Sequence, residues 1–294
     1  MATEVKSAED AQTLLRQWRE ENIRNSEEVL ELWSDYIEKS WSKLGDEGWL
    51  VLEQVCIAAF DCHNMGVADF CLSKLSREFP GSLRVKKLKA MKFEVQERYE
   101  EALELLDFIV QKDDTNAVPR KRKIALLKSL GKHGEAVKEL VDYLKIFMAD
   151  QEAWQELCDL YISQQDWTKA AFCMEELLLH SPHNHLYLQR LAEIKYTQGG
   201  YENLEIARSY YSQAAKLNAG NVRALYGIVL TCAHMASSPK CPSQKKKECL
   251  KLAEWASNQL SSLTSAVRDK GENFENFAVE NLMGALQISG DAKA

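Results

Sequence analysis

A recurrence at a fixed spacing of 34 residues constrains this chain more than any other feature. Ala68, Ala102, Ala136 and Ala170 stand in that register. Three residues before them come Met65, Tyr99, His133 and Trp167, and four after them Leu72, Leu106, Leu140 and Met174. Seven after come Leu75, Ile109, Tyr143 and Leu177, so each copy carries one apolar face of a helix. The clearest copy is Gln151 to Asn184. There Trp154, Leu157 and Tyr161 mark a first helix, Ser163 to Asp166 a polar break, and Trp167, Ala170, Met174 and Leu177 a second helix. Pro182 closes the unit as Pro80 does, while Asp114 and Met148 hold the other two closing positions. A small residue at the crossing lets the two backbones approach closely. A period of this length means helix hairpins that cannot bury their apolar faces alone and must stack on their neighbours.

The pattern matches the tetratricopeptide repeat. The expected fold is therefore all-α, a right-handed superhelix of helix hairpins with helical caps, and its turns are predicted near residues 63, 97, 131, 165 and 199. Four repeats follow without a gap, at 49–82, 83–116, 117–150 and 151–184. A fifth, 185–221, carries three extra residues before the phase returns at Ala207, Tyr211 and Ala214. Residues 222–287 read as an irregular sixth repeat with a C-terminal capping helix. Its first helix runs through Leu225, Ile228, Val229 and Cys232, and a long connection spans Ser237 to Ser243. A second helix runs through Leu250, Ala253 and Leu260, a cap covers roughly 273–287, and 288–294 is an expected disordered tail. Residues 1–48 read as an N-terminal cap of two helices, 7–21 and 25–43, with Ser26 as the second helix's N-cap and Leu30, Trp33, Tyr36, Ile37 and Trp41 as its apolar stripe. Alternatively, Trp33 and Trp41 form a hydrophobic partner site.

Composition narrows the function. The net charge of −7 disfavours nucleic acid. Met1 to Asp10 has no apolar core, so no secretory signal is expected, and the most apolar run, Leu225 to Ala236, is too short to span a membrane. The eight cysteines form no CxxC pair, and Cys56 and Cys158 share one repeat position, which suits buried reduced thiols in the cytosol. His180, His183 and His185 share a turn with no adjacent cysteine or carboxylate, so no metal is expected there. Cys62-His63 is an isolated pair better suited to packing, and Gly199-Gly200 lacks the Lys-Ser/Thr of a phosphate loop. No GxSxG or HExxH occurs; no enzyme and no cofactor are expected.

Recognition should lie on the inner face, lined by positions 2, 5, 6, 9 and 12 of each first helix. The candidate partner-binding residues are Arg84, Lys87, Lys121 and Arg122, then Glu152, Glu156 and Asp159, with Tyr196 in repeat five. Lys128 adds to the basic set and Gln155 to the acidic one. The groove should pass from basic to acidic, with the basic side chains facing solvent in the free protein. Alternatively these charges are only a solvated face. A soluble adaptor gripping an acidic chaperone tail is a second possibility. Lys87 suits it, but Met91, Glu152 and Glu156 stand where Asn and cations would be needed.

Six stretches carry a more specific resemblance: Arg19 to Asn22, Phe79 to Ser82, Asp150 to Trp154, Ala170 to Cys173, Pro182 to Tyr187 and Lys195 to Gly200. Together they resemble the subunit 2 family of the endoplasmic reticulum membrane protein complex, also called the tetratricopeptide repeat protein 35 family. The resemblance covers nearly the whole chain. It implies a peripheral subunit on the cytoplasmic side of the endoplasmic reticulum membrane. Such a subunit would scaffold the cytoplasmic parts of membrane subunits, beside a further cytosolic subunit, in a complex that inserts tail-anchored and multi-pass proteins.

Overall fold

A computed structural model describes residues 7–268 of the chain, so the expected capping helix at 273–287 and tail at 288–294 lie outside the described residues. The described residues form fourteen α-helices and no strand. The chain divides into two compact units between Glu139 and Leu140, inside helix α8 (His133–Ile146).

The first unit opens with α1 (Ala8–Glu20) and α2 (Ser26–Leu32). The helix expected over 25–43 is not continuous. It passes from α2 into a π-helical turn, Trp33–Ile37, and then a 3-10 turn, Trp41–Leu44. The Glu38 N–H bonds to the Trp33 carbonyl at 2.8 Å, one residue wider than an α turn. Trp33 and Ile37, at the two ends of this turn, are both buried in one core. Ser26 is the first helical residue rather than the cap; Asn25 flanks the helix, and the Ser26 hydroxyl donates to Asp61 at 2.6 Å. Trp33 is 2% exposed, which removes it from any partner site. Trp41 makes an edge contact with Trp49, ring centroids 5.5 Å apart, and Trp49 makes another with Phe79. The cap is tied down by polar bonds as well. Arg16, Arg19 and Gln12 of α1 all converge on Glu47, Arg19 at 2.7 Å. Arg24 clasps Asp61 through both carboxylate oxygens, at 2.7 and 2.6 Å.

Hairpins follow: α3 (Glu47–Asp61) with α4 (Met65–Glu78), α5 (Leu83–Val95) with α6 (Tyr99–Lys112), then α7 (Ala117–Ser129). In the second unit α9 (Gln151–Ser163) pairs with α10 (Trp167–His180), α11 (His185–Gln198) with α12 (Tyr201–Leu217), and α13 (Val222–Ser237) with α14 (Ser243–Arg268). Ala68, Ala102, Ala136 and Ala170 are fully buried. Asn116, Asp150 and Asn184 cap their helices in the same register, each side chain accepting a backbone N–H of the first turn. Helix α12 takes the three extra residues of repeat five at its start, and Ala207, Tyr211 and Ala214 still reach the core. In α14 the core residues are Cys249, Ala253, Ala256 and Leu260. Leu250, expected inside, is 47% exposed because its neighbour Cys249 takes the inward position.

Candidate binding surface

In the first unit the basic side chains of the A helices are not bare. Arg84 and Lys87 of α5 reach back to Glu53 of α3, at 2.5 and 3.7 Å. Arg122 of α7 reaches back to Glu94 of α5 at 3.2 Å. Helices α5 and α7 are thus each stitched to the preceding first helix by a carboxylate in the larger part buried. The expectation that these bases face solvent holds only for Arg84, 63% exposed; Lys87, Lys121, Arg122 and Lys128 are all half-buried. The cause is spacing, since long side chains on neighbouring A helices overlap and pair once the helices are parallel. Arg84, Lys87, Glu53, Asn116 and Val118 line a cavity of about 360 Å³.

In the second unit Glu152 and Asp159 of α9 are exposed and Glu156 is half-buried. Asp159 accepts from Arg190 of α11 at 3.1 Å, and the Gln155 amide donates to the Tyr187 hydroxyl at 2.7 Å. Tyr196 does not point freely outward. Its ring stacks on His234 of α13, centroids 5.4 Å apart and nearly coplanar in orientation, with its hydroxyl 2.8 Å from Nδ1. The candidate residues therefore form two sets, a basic one on α5 and α7 and an acidic one on α9, and both are partly answered by the protein's own charges.

Sequence reasoning missed an apolar pocket in the second unit. Val141, Leu144, Met148, Trp154, Leu157 and Phe172 line a cavity of about 360 Å³, with Lys145 and Lys169 at its margin. Trp154 meets Phe172 edge-on at 6.2 Å and donates its indole N–H to the Met148 carbonyl at 2.9 Å. Periodicity placed Trp154 with Leu157 and Tyr161 on one face of a first helix. The exposure of Phe172 and Met148 had no signal in that pattern.

Other candidate chemistry dissolves into packing. The thiols of Cys56 and Cys158 donate to the carbonyls of Ala68 and Ala170 across the hairpin crossing, at 3.8 and 3.6 Å. Burial pushes the thiols of Cys56, Cys158, Cys173 and Cys232 up to about 12, so they hold their protons. His180 faces its own helix carbonyl at Glu176, and His185 lies between the amides of Asn218 and Asn221. Among the described residues no group of three or more His, Cys, Asp or Glu could hold a metal ion, and no helix is long and apolar enough to cross a membrane.

Comparison with known proteins bears on the whole chain. Residues 67–204 match the family described as the EMC2 TPR-like repeat domain. The chain is 50% identical over 285 residues to the ER membrane protein complex subunit 2 of Xenopus tropicalis, covering 96% of this chain and 95% of that one. It is 33% identical over 263 residues to the protein of the same name in Dictyostelium discoideum, covering 85% and 81%. The crystal structure of the C-terminal part of a TPR repeat-containing protein from Cytophaga hutchinsonii superimposes with a TM-score of 0.60 at 12% identity, over 87% of this chain and 95% of that one, a likeness of fold alone.

Proposed function

The chain belongs to the family of ER membrane protein complex subunit 2, and from that premise we propose that it is a non-catalytic scaffold subunit of such a complex. Its partners are the other subunits of the complex, and it sits peripherally on the cytoplasmic side of the endoplasmic reticulum membrane. There it organises the cytoplasmic segments of membrane subunits so that the complex inserts transmembrane helices. The observation that carries this reading is similarity over nearly the full length of both chains, at an identity that leaves little room for a changed architecture. Three features support it. The buried thiols are poor nucleophiles. The A-helix faces offer charged side chains beside cavities large enough for partner side chains. The apolar pocket at Trp154 and Phe172 offers an anchor point of the type that dominates interface energy.

Charge on the A helices sets direction and register more than affinity, because exposed pairs contribute only roughly 0–1 kcal/mol each. The test is neutralisation rather than reversal. Glutamate at Lys87 or Arg122 would face Glu53 or Glu94 and destabilise the fold, whereas Arg84→Gln, Lys87→Gln and Lys121→Gln together leave no new repulsion. The triple variant strips Glu53 of both its cations, so it is expected to melt below the parent while still folding, and to co-purify with fewer membrane subunits. Normal assembly of the folded variant sinks the role assigned to the basic face. A companion variant, Phe172→Asp, then reports whether the apolar pocket is the docking point instead.

A further inference from the structure

Positive charge gathers where α14 begins. Five lysines and one glutamate stand between Lys240 and Lys251, in a chain whose net charge is −7. Arg84, Lys87 and Arg122 are answered by carboxylates of neighbouring helices, and Lys245 is held by Glu205 of α12. Lys240, Lys246, Lys247 and Lys251 are exposed and form no ion pair with any described residue. Lys246 and Lys247 also stand toward the positive end of the helix dipole, where a further cation is unfavourable and an anion favourable. Leu250 and Trp255 share the outward half of the helix, on either side of Lys247 and Lys251, and are 47% and 46% exposed. Cys249, Ala253, Ala256 and Leu260 take the inward half. Glu248 and Glu254 are the exposed acids of this stretch, outnumbered by its lysines. Lysines interleaved with an exposed leucine and tryptophan suit a surface that is anionic outside and apolar just beneath. Tryptophan settles at headgroup level, and lysine stems lie along apolar material while their ammonium groups stay in water. An acidic peptide matches the charge alone. A bilayer surface matches both features and needs no groove, which suits the convex outer side of a single helix.

We propose that the outward face of α14 docks on the surface of an anionic phospholipid bilayer. Lys240, Lys246, Lys247 and Lys251 meet headgroup phosphates, and Leu250 and Trp255 reach headgroup depth without crossing the layer. The proposal deepens the peripheral placement of the chain, on which it rests. It gives the chain a lipid contact of its own beside those made through partner subunits.

Vesicle flotation of the full chain tests it, with phosphatidylcholine vesicles containing about a quarter phosphatidylserine and pure phosphatidylcholine vesicles as control. Binding to the anionic vesicles is expected to be about tenfold or more tighter than to the neutral ones, and to weaken as salt rises. Lys246→Gln, Lys247→Gln and Lys251→Gln together should lower it about tenfold or more, and Leu250→Ser with Trp255→Ser about threefold or more. Both variants should melt near the parent, because all five side chains are exposed. Absent binding, equal binding to the two vesicles, or unchanged binding in either variant overturns the proposal. A parent that binds a polyglutamate peptide through these lysines but no vesicles also overturns it, since the face is then a site for acidic protein. No partner subunit enters the measurement. Failed flotation with normal recovery of membrane subunits refutes the lipid contact alone, whereas failure of that recovery refutes the scaffold reading.

Discussion

Gly227 lies inside α13 with the ring of Tyr211 against it. A Cβ built there would come within 2.4 Å of the ring, and Tyr211 is 4% exposed with no room to withdraw. Gly227→Ala is therefore expected to destabilise by about 1–3 kcal/mol through overpacking, despite alanine's better helix propensity. Chemical denaturation checks it, and a more stable variant contradicts it. The register of the crossing alanines and the shared position of Cys56 and Cys158 were legible in the sequence, because burial repeats with the hairpin. Gly227 was not, because a close approach between α12 and α13 depends on which ring the neighbouring hairpin supplies. Glu47 is a second residue that the sequence did not single out. Its partners Arg16, Gln12 and Arg19 lie on another helix, and the Arg16 guanidinium before all holds its carboxyl down at about 2 from 4.5. A depressed acid contributes stability that is present above its unfolded value and lost as pH falls through the folded one. The N-terminal cap should accordingly loosen between pH 4.5 and 2, read by amide exchange in α1, and Glu47→Gln should flatten that dependence.

Elements repeat as faithfully as residues. The inter-helix turns place a left-handed residue at His63, Glu97, Gly131, Gln165 and Gly199, with φ between 56° and 71°. The expected turn positions were these same residues, because a hairpin of fixed helix lengths must reverse at a fixed place. Three of the five carry a Cβ in a conformation that costs roughly 1–2 kcal/mol. Glu97→Gly is expected to be neutral or stabilising by up to about 1 kcal/mol, and Gly131→Ala destabilising by a similar amount. A pair of melting curves of opposite sign confirms this; a destabilised Glu97→Gly refutes it. The N-terminal cap resisted sequence reading for a related reason. Its second helix follows no repeat, so nothing in the spacing of Leu30, Trp33 and Ile37 announced a π turn. The ion pairs of the A helices were hidden as well. Glu53, Glu94 and Arg190 answer residues on other helices, and one helix read alone shows only its own charge.

At the scale of the whole molecule, a chain whose described residues include no membrane-crossing helix is assigned to a membrane complex. The assignment requires that its surfaces be completed by other subunits. The open pocket at Met148, Trp154 and Phe172 is the kind of surface such completion leaves on a subunit taken alone. The competing account, an adaptor for a free acidic peptide, needs uncompensated cations on successive A helices. Arg84 and Lys87 instead share Glu53, Arg122 is paired with Glu94, and Glu152 and Glu156 carry the opposite sign. Purification of the tagged chain from membranes in mild detergent, with mass spectrometry of what accompanies it, separates the two directly. The scaffold account predicts integral membrane subunits in near-stoichiometric amounts, retained through a high-salt wash. A soluble chaperone recovered without membrane subunits would contradict it.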